Sequence, residues 1–247
     1  MLPMPCKEGL AMTDVIVLAG GLGTRLRQVV PDLPKPLAPV GGRPFLELLL
    51  CSLADKGFRR AILSLGYMAE KVIAHFENCS IGIDLVYEIE TQPLGTGGAV
   101  RQAMQYCSSD HVFVVNGDTY LDFEANDLEG RWQKNRVPII VGLAVPDAAR
   151  YGRLETVGGR ITGFSEKGVA GPGLINAGCY VLPTNILNEF PLGQAFSLET
   201  DFLVRAVSIR RFDLFESKGY FIDIGVPEDY ARAQARFGGG RLGRQSG

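Results

Sequence analysis

Two cations stand close behind a glycine cluster near the start of the chain, in LAGGLGTRLRQVVPDLPKPLAPVGGRPF (Leu18–Phe45). Glycine-rich turns after a strand let backbone N–H groups approach an anion without side-chain obstruction, which makes them common phosphate cradles. Arg25 adds planar, permanently charged donors. Lys35 is wedged between two prolines that restrict the backbone and so fix where its ammonium is delivered. Two familiar phosphate motifs are excluded by the letters themselves. A P-loop needs a Lys-Ser or Lys-Thr after its glycines, and a GxGxxG fingerprint starting at Gly21 meets Leu26 at its last position. A flexible surface turn carrying two solvated cations fits this stretch taken alone equally well.

Other residues with chemical potential are sparser. VVNGDTY delivers Asp118 at the end of an apolar run, and YFIDIGVPEDY delivers Asp223 in a similar setting. Single aspartates of this kind are commonly turn formers or helix caps, and Asp122, Asp127 and Asp229 nearby read as surface or capping residues. His75 falls in an amphipathic helical pattern and His111 at a strand start, with no Ser or Cys partner pattern, so both read as structural rather than as general bases. The five cysteines are scattered, odd in number and without CxxC spacing. That distribution fits reduced thiols better than a disulfide frame or a zinc site.

These residues must be positioned by alternating elements. VIVLAG, RAILSLG, IDLVYEIE and HVFVVNGD are strand-like. Between them, FLELLLCSLADKG, MAEKVIAHFE and GGAVRQAMQYC carry helical patterns, the signature of a layered α/β domain. Asp118 then falls at the carboxyl edge of the sheet, where open α/β sheets bind ligands. After about Pro138 the runs shorten and turns become Gly-rich, with VGGR reading as a hairpin turn between RLET and ITGF. Helical patterns return in SLETDFLVRAVS and in PEDYARAQARF, which opens with Pro227 and two acids. The expected organisation is an extension over 1–13, one domain over 14–237 and a flexible Gly-rich tail over 238–247. With 247 residues, 46% hydrophobic and 21% charged residues, and a net charge of −2, the chain reads as a globular protein with a sizeable core. It lacks the basic stripe of a duplex binder and any long apolar run fit to span a membrane. Cytoplasmic residence is the default expectation, with neither nucleic acid nor membrane as a partner.

The ordered set of motifs from Val15 to about Tyr230 resembles the sugar-1-phosphate nucleotidyltransferases, also called nucleotide-sugar pyrophosphorylases. The resemblance implies a single Rossmann-like α/β domain with a mixed, mostly parallel central sheet. It also implies a reaction that joins a nucleoside triphosphate to a sugar 1-phosphate and releases pyrophosphate. By position, Leu18, Ala19, Gly20 and Gly21 would border the base and ribose, and Gly21, Gly23, Thr24 and Arg25 would hold the triphosphate. Arg25 and Lys35 would neutralise the departing pyrophosphate. TQPLGTGGAV resembles the second nucleotide motif, with Gln92 on the base edge and the Gly95–Thr96 backbone beside it. The resemblance places Asp118 and Asp223 on one Mg²⁺, for which hard carboxylate oxygens shared with phosphate and water are suited.

GFSEKG is similar to the family's E-K-P element, with Glu166 on the sugar or ribose and Lys167 on the sugar phosphate, although Gly168 replaces the usual proline. Gly152 in RYGRLE, Asn176 in LINAGCYVL and Glu199 in FSLETDFL would contact the sugar, with Asp201 of the same segment also by the substrate pocket. A helix N-cap by Ser197 explains the last segment about as well. No protein nucleophile is implied, since the sugar phosphate is itself the attacking anion. Within the family, the first motif together with QPLGTGGAV, NGDTY, INAGCYVL and FIDIGVPEDYARAQ is similar to guanylyl-transferring members that act on D-glycero-D-manno-heptose 1-phosphate. Mannose guanylyl-, glucose thymidylyl- and uridylyl-type activities stay open. A non-catalytic nucleotide-sugar-binding subunit and a glycosyltransferase stay open as well. The former would be expected to lose Arg25, Lys35, Asp118 or Asp223, and the latter to show a D-x-D spacing that NGDTYLD lacks. A homo-oligomer is also compatible with the chain.

Overall fold

The computed structural model describes residues 13–238, except 22, 24, 25, 27, 28, 166, 167 and 169. The chain begins with β1 (Val15–Leu18), a short β2 (Pro39–Val40) and β3 (Arg43–Pro44) ribbon, and α1 (Phe45–Asp55). β4 (Arg60–Leu65), α2 (Ala69–Phe76), β5 (Asp84–Ile89), α3 (Gly95–Ala103) and β6 (His111–Asn116) follow in alternation. Next come β7 (Thr119–Leu121), α4 (Ala125–Asn135), β8 (Ile139–Val145), β9 (Arg153–Val157), β10 (Arg160–Ser165) and β11 (Gly173–Pro183). A π-helical turn (Leu198–Leu203) leads into α5 (Val204–Ile209), and β12 (Asp213–Ser217), β13 (Phe221–Asp223) and α6 (Pro227–Phe237) complete the described chain.

Nine strands form one sheet in the order β5-β4-β1-β6-β11-β8-β12-β10-β9. β10 and β11 run against the other seven, so the sheet is mixed with a dominant direction, and its β5-β4-β1-β6 half is wholly parallel. The strands of that half are apolar on both faces because both are covered. Along β1, Val15 and Val17 face one layer while Ile16 faces the other, and all three are fully buried. The first layer holds Leu46, Leu50 and Leu53 of α1, Val72 and Phe76 of α2, and Leu128 and Trp132 of α4. The second holds Val100 of α3, Phe202 of the π turn, and Ala206 and Val207 of α5. The VGGR segment is a hairpin turn, with Gly158 at φ 58° and Gly159 at φ 76° joining β9 to β10. Two positive φ angles in succession match the right-handed twist of the flanking strands.

A third, smaller core matters most for the site. Ala38, Val40, Phe45, Ile222, Ile224, Tyr230 and Ala233 pack together, so the β2–β3 ribbon and the segment before it rest on β13 and α6. Tyr230 donates its hydroxyl to the Pro39 carbonyl at 2.5 Å, and Gln234 Nε2 donates to the same oxygen at 2.5 Å. Elements nearly two hundred residues apart are thereby locked into one unit. Asp229, read above as a surface or capping residue, lies inside this region at 3% exposure. It is held there by Arg150 Nη2 and Arg232 Nη1, each at 2.7 Å. A carboxylate at the first turn of α6 suits the helix dipole, and two guanidinium partners compensate its desolvation. Among the described residues, no helix is long and apolar enough to cross a membrane.

Candidate active site

A cleft of about 460 Å³ opens at the carboxyl edge of the parallel half-sheet, within the size range of small-molecule sites. Strand ends and loops supply its walls, as expected for open α/β sheets. Leu18, Ala19, Gly20 and Gly21 line one side, Gln92, Gly95 and Thr96 another, and Lys35 and Asp118 the end. The first and second nucleotide motifs, separate in sequence, therefore meet across one cavity. Gly23 is not part of the lining, but it adopts φ 59° and a Cβ there would fall 2.9 Å from the Lys35 Cβ. Only glycine lets the loop take that turn against the lysine stem. Thr24, Arg25, Glu166 and Lys167 lie outside the described residues.

Lys35 sits in a single 3₁₀ turn, Lys35–Leu37, entered from Pro34 in extended conformation. The prolines act as the sequence implied: one fixes the entry, and Pro36 occupies an early position where no N–H is needed. The Lys35 ammonium reaches Asp118 Oδ2 at 2.5 Å, with the lysine side chain 10% exposed and the aspartate 40%. Asp118 follows β6, and Gly117 between them donates its N–H to the Leu18 carbonyl at 2.8 Å. A Cβ at Gly117 would meet that oxygen at 2.7 Å, so this crossing of the two loops depends on glycine.

Asp223 comes to the same place by strand pairing. β13 runs antiparallel to β7 with Asp223 opposite Thr119, and Ile224 N–H donates to the Asp118 carbonyl at 3.0 Å. Asp223 Oδ1 accepts from the Gly225 N–H at 2.6 Å. Burial and the negative charge of Asp118 push its carboxyl above the usual aspartate range, against the opposing pull of Lys35. Two carboxylates that repel each other beside a cleft, one of them still partly open, are a fitting donor set for a small divalent cation completed by phosphate oxygens and water.

A second cluster lies on β11 and the π turn. Asn176 donates from Nδ2 to Tyr180 Oη at 2.8 Å and to Glu199 Oε1 at 3.3 Å, while its own Oδ1 accepts from Gly178 N–H at 3.2 Å. The register of β11 against β8 shifts between Asn176 and Tyr180, and such bulges re-aim side chains. Gly152 adjoins this cluster, since a Cβ there would lie 3.9 Å from Glu199 Oε1. Gly152, Asn176 and Glu199 are thus brought together. Glu199 and the N-cap explanation of its segment are both satisfied: Ser197 Oγ accepts from Thr200 N–H at 3.2 Å and Asp201 Oδ2 from Ser197 N–H at 2.7 Å. Asp201 is therefore occupied in capping, and Glu199 faces the cluster. Thr96 does more than lend backbone, for its hydroxyl accepts from Leu198 N–H at 3.0 Å and ties the start of α3 to the π turn.

Glu90 is a cleft residue that the motifs did not reveal. It follows β5, accepts from Leu94 N–H through Oε2 at 2.9 Å, and receives the Ser64 hydroxyl on Oε1 at 3.3 Å. Both oxygens are fixed in direction by the protein. A lone glutamate at a strand end carries no local signal, although its position two residues before Gln92 in the second motif could have drawn notice.

A two-loop cleft with Lys35 and Asp118 at one end, and Asp223 paired beside Asp118, lies where open α/β sheets bind their ligands. Residues 14–238 match the family model described as nucleotidyl transferase, and the chain belongs to that family. It is 39% identical over 222 residues to D-glycero-alpha-D-manno-heptose 1-phosphate guanylyltransferase of Aneurinibacillus thermoaerophilus, covering 90% of this chain and 96% of that one. The crystal structure of HddC from Yersinia pseudotuberculosis superposes with a TM-score of 0.84 at 40% identity, covering 92% of this chain and 100% of that one. The same protein complexed with GMP-PN superposes with a TM-score of 0.83, at the same identity and coverage. The fold class expected from the sequence, a mixed α/β nucleotidyltransferase domain, is the one found.

Proposed function

We propose that the protein transfers a guanylyl group from GTP to D-glycero-α-D-manno-heptose 1-phosphate in the presence of Mg²⁺, releasing pyrophosphate. The observation that carries the base assignment is the oriented Glu90 carboxylate in the cleft. Guanine alone among the common bases offers adjacent N–H donors on its pairing edge, from the ring nitrogen and the exocyclic amine, and a carboxylate is an acceptor only. Uracil and thymine offer a single ring N–H flanked by carbonyl oxygens, which matches a carboxylate less well. The heptose assignment rests on the printed activity of the Aneurinibacillus relative, and the GMP-PN complex of HddC supports the guanine reading.

In this reading the bases of catalysis are positioning and charge. Leu18 to Gly21, with Gln92, Gly95 and Thr96, hold the nucleoside, while Gly23, Thr24 and Arg25 wrap the triphosphate. Lys35 and Arg25 meet the negative charge that accumulates on the leaving pyrophosphate. Gly152, Glu166, Asn176 and Glu199 hold the sugar, and Lys167 directs its phosphate. A sugar-phosphate oxygen then attacks the α-phosphorus in line as pyrophosphate leaves on the opposite side. Asp118 and Asp223 would hold Mg²⁺, which would supply Lewis-acid neutralisation of phosphate charge. The reaction would run in the cytoplasm and supply an activated heptose for surface polysaccharide assembly.

A pyrophosphate-release assay crossing the four common nucleoside triphosphates with heptose and hexose 1-phosphates, with and without Mg²⁺, tests this. GTP with the heptose phosphate should give the highest kcat/KM. Preference for mannose 1-phosphate would overturn the sugar, preference for another base would overturn the role of Glu90, and turnover with no pair would overturn the enzyme reading.

A further inference from the structure

The α1 and α2 helices share a cluster that nothing in the nucleotidyl-transfer chemistry uses. Glu47 of α1, His75 of α2 and Cys79 just beyond α2 bring three different metal-binding atom types to within 4.8 Å of one another. His75 Nε2 lies 3.2 Å from Glu47 Oε2 and 3.9 Å from Cys79 Sγ. With bonds of about 2.0 Å to oxygen or nitrogen and about 2.3 Å to sulfur, donors around a tetrahedral Zn²⁺ stand about 3.3–3.5 Å apart. The two His75 spacings lie on either side of that range, and the whole set falls within 4.8 Å. His75 sits in the last turn of α2, and the turn that follows the helix brings Cys79 back to it.

The surroundings favour a bound ion over a chance contact. Glu47 Oε1 is held by Arg43 Nε at 2.9 Å, which fixes the carboxylate while leaving Oε2 turned toward His75. An outer partner of this kind orients a metal ligand. Cys51, one turn along α1, is engaged by Arg43 Nη2 at 3.2 Å and stays outside the cluster. Side-chain exposures of 16% for Glu47 and 30% for His75 leave a path for the ion and room for water as the fourth ligand. The wide sequence gap between Glu47 and His75 hides the set from any reading of cysteine spacing.

We propose that Glu47, His75 and Cys79 form a Zn²⁺ site that clamps α1 to the end of α2, separate from the Asp118–Asp223 pair. The site lies at the C-terminal end of α2, whose N-terminal approach carries the cleft-lining Gly66 and Tyr67. Co²⁺ is the probe, because a cobalt–thiolate bond produces a charge-transfer absorption that oxygen-only sites lack. Titration of chelator-treated full-length protein with Co²⁺ in excess Mg²⁺ should build this band to one equivalent, and Zn²⁺ should bleach it. Cys79→Ser should abolish the band, and His75→Gln and Glu47→Gln should each weaken Co²⁺ binding about tenfold or more. Asp223→Asn should leave it unchanged. Zn²⁺ should raise the melting temperature of the wild type but not of His75→Gln, which keeps the side-chain size if Cys79→Ser fails to fold. Absence of the band in the wild type, or its persistence in Cys79→Ser, overturns the site.

Discussion

At the scale of single residues, the site is a set of charges held closer than they would choose. Asp223 has a carboxyl pushed up by burial and by Asp118. An acid whose pKa is raised on folding is bound in the fold most favourably when protonated, so its stability contribution is present at low pH and lost as pH rises through the folded value. At neutral pH the ionised side chain therefore costs stability in the metal-free protein. Asp223→Asn should raise the melting temperature without Mg²⁺, remove the further rise that the proposed Mg²⁺ site should give the wild type, and lower kcat by about 10²-fold or more, the scale of losing an electrostatic catalytic group. A lower melting temperature in the metal-free variant would refute the charge repulsion. Glu90→Gln keeps shape but puts a donor where, on the proposed reading, guanine would present donors. Its kcat/KM with GTP should fall about tenfold to a hundredfold, the scale of a charge-assisted hydrogen bond, with smaller losses for other triphosphates. Steady-state kinetics across the four nucleotides reads this directly.

At the scale of elements, the cleft depends on pieces that the chain order keeps apart. The β7–β13 ribbon places Asp223 beside Asp118, and α6 packs the β2–β3 ribbon that follows the Lys35 turn. Ile224 is fully buried where these meet. Ile224→Ala should cost about 2–5 kcal/mol in urea unfolding, the usual range for emptying such a site. It should also reduce kcat, because Lys35 and Asp223 lose their common support; unchanged kcat at reduced stability would show that the small core only holds the fold. The same dependence explains what was legible beforehand. The glycine loop, proline-locked Lys35 and Asp118 at a strand end are local patterns, so their types and spacing announce them. The alternation of β4, α2, β5 and α3 is equally local, being a matter of period. The long-range pairings are not. Asp229 reads as a helix-start acid, and only the packing of α6 reveals that it is buried between Arg150 and Arg232. Glu90 becomes distinctive only when Ser64 and Leu94 aim its oxygens. The Glu47, His75 and Cys79 set exists only because two helices lie side by side.

At the scale of the whole molecule, the end of the sheet remote from the cleft carries its own buried charge. His111 opens β6, whose other end leads to Asp118, and it is 3% exposed. Its Nε2 lies 2.9 Å from Glu129 Oε2 of α4 and its Nδ1 2.7 Å from Asp110 Oδ1, while the ring stacks on Trp132 at 4.9 Å. Burial pulls the imidazole pKa down, but hydrogen bonds to the two carboxylates outweigh it and the net shift is above 6.5. Burial likewise pushes Glu129 up, but the hydrogen bonds with His111 and Gln133 prevail and its carboxyl lies below 4.5. A histidine raised on folding contributes its stability fully below the unfolded pKa, and that contribution disappears as pH climbs through the folded value. A glutamate lowered on folding contributes above its unfolded pKa and loses the contribution as pH falls through the depressed value. The pair should therefore stabilise the protein most between pH 4.5 and pH 6.5, the ordinary values of the two groups, and fade on both sides. His111→Gln keeps a polar ring-sized group without the titration. Unfolding free energies measured from about pH 5 to about pH 9 should show wild-type stability declining relative to the variant as the pH rises, with kcat at fixed pH little changed, because the network touches no cleft residue. Parallel stability profiles for the two proteins would mean that His111 carries no proton into the fold.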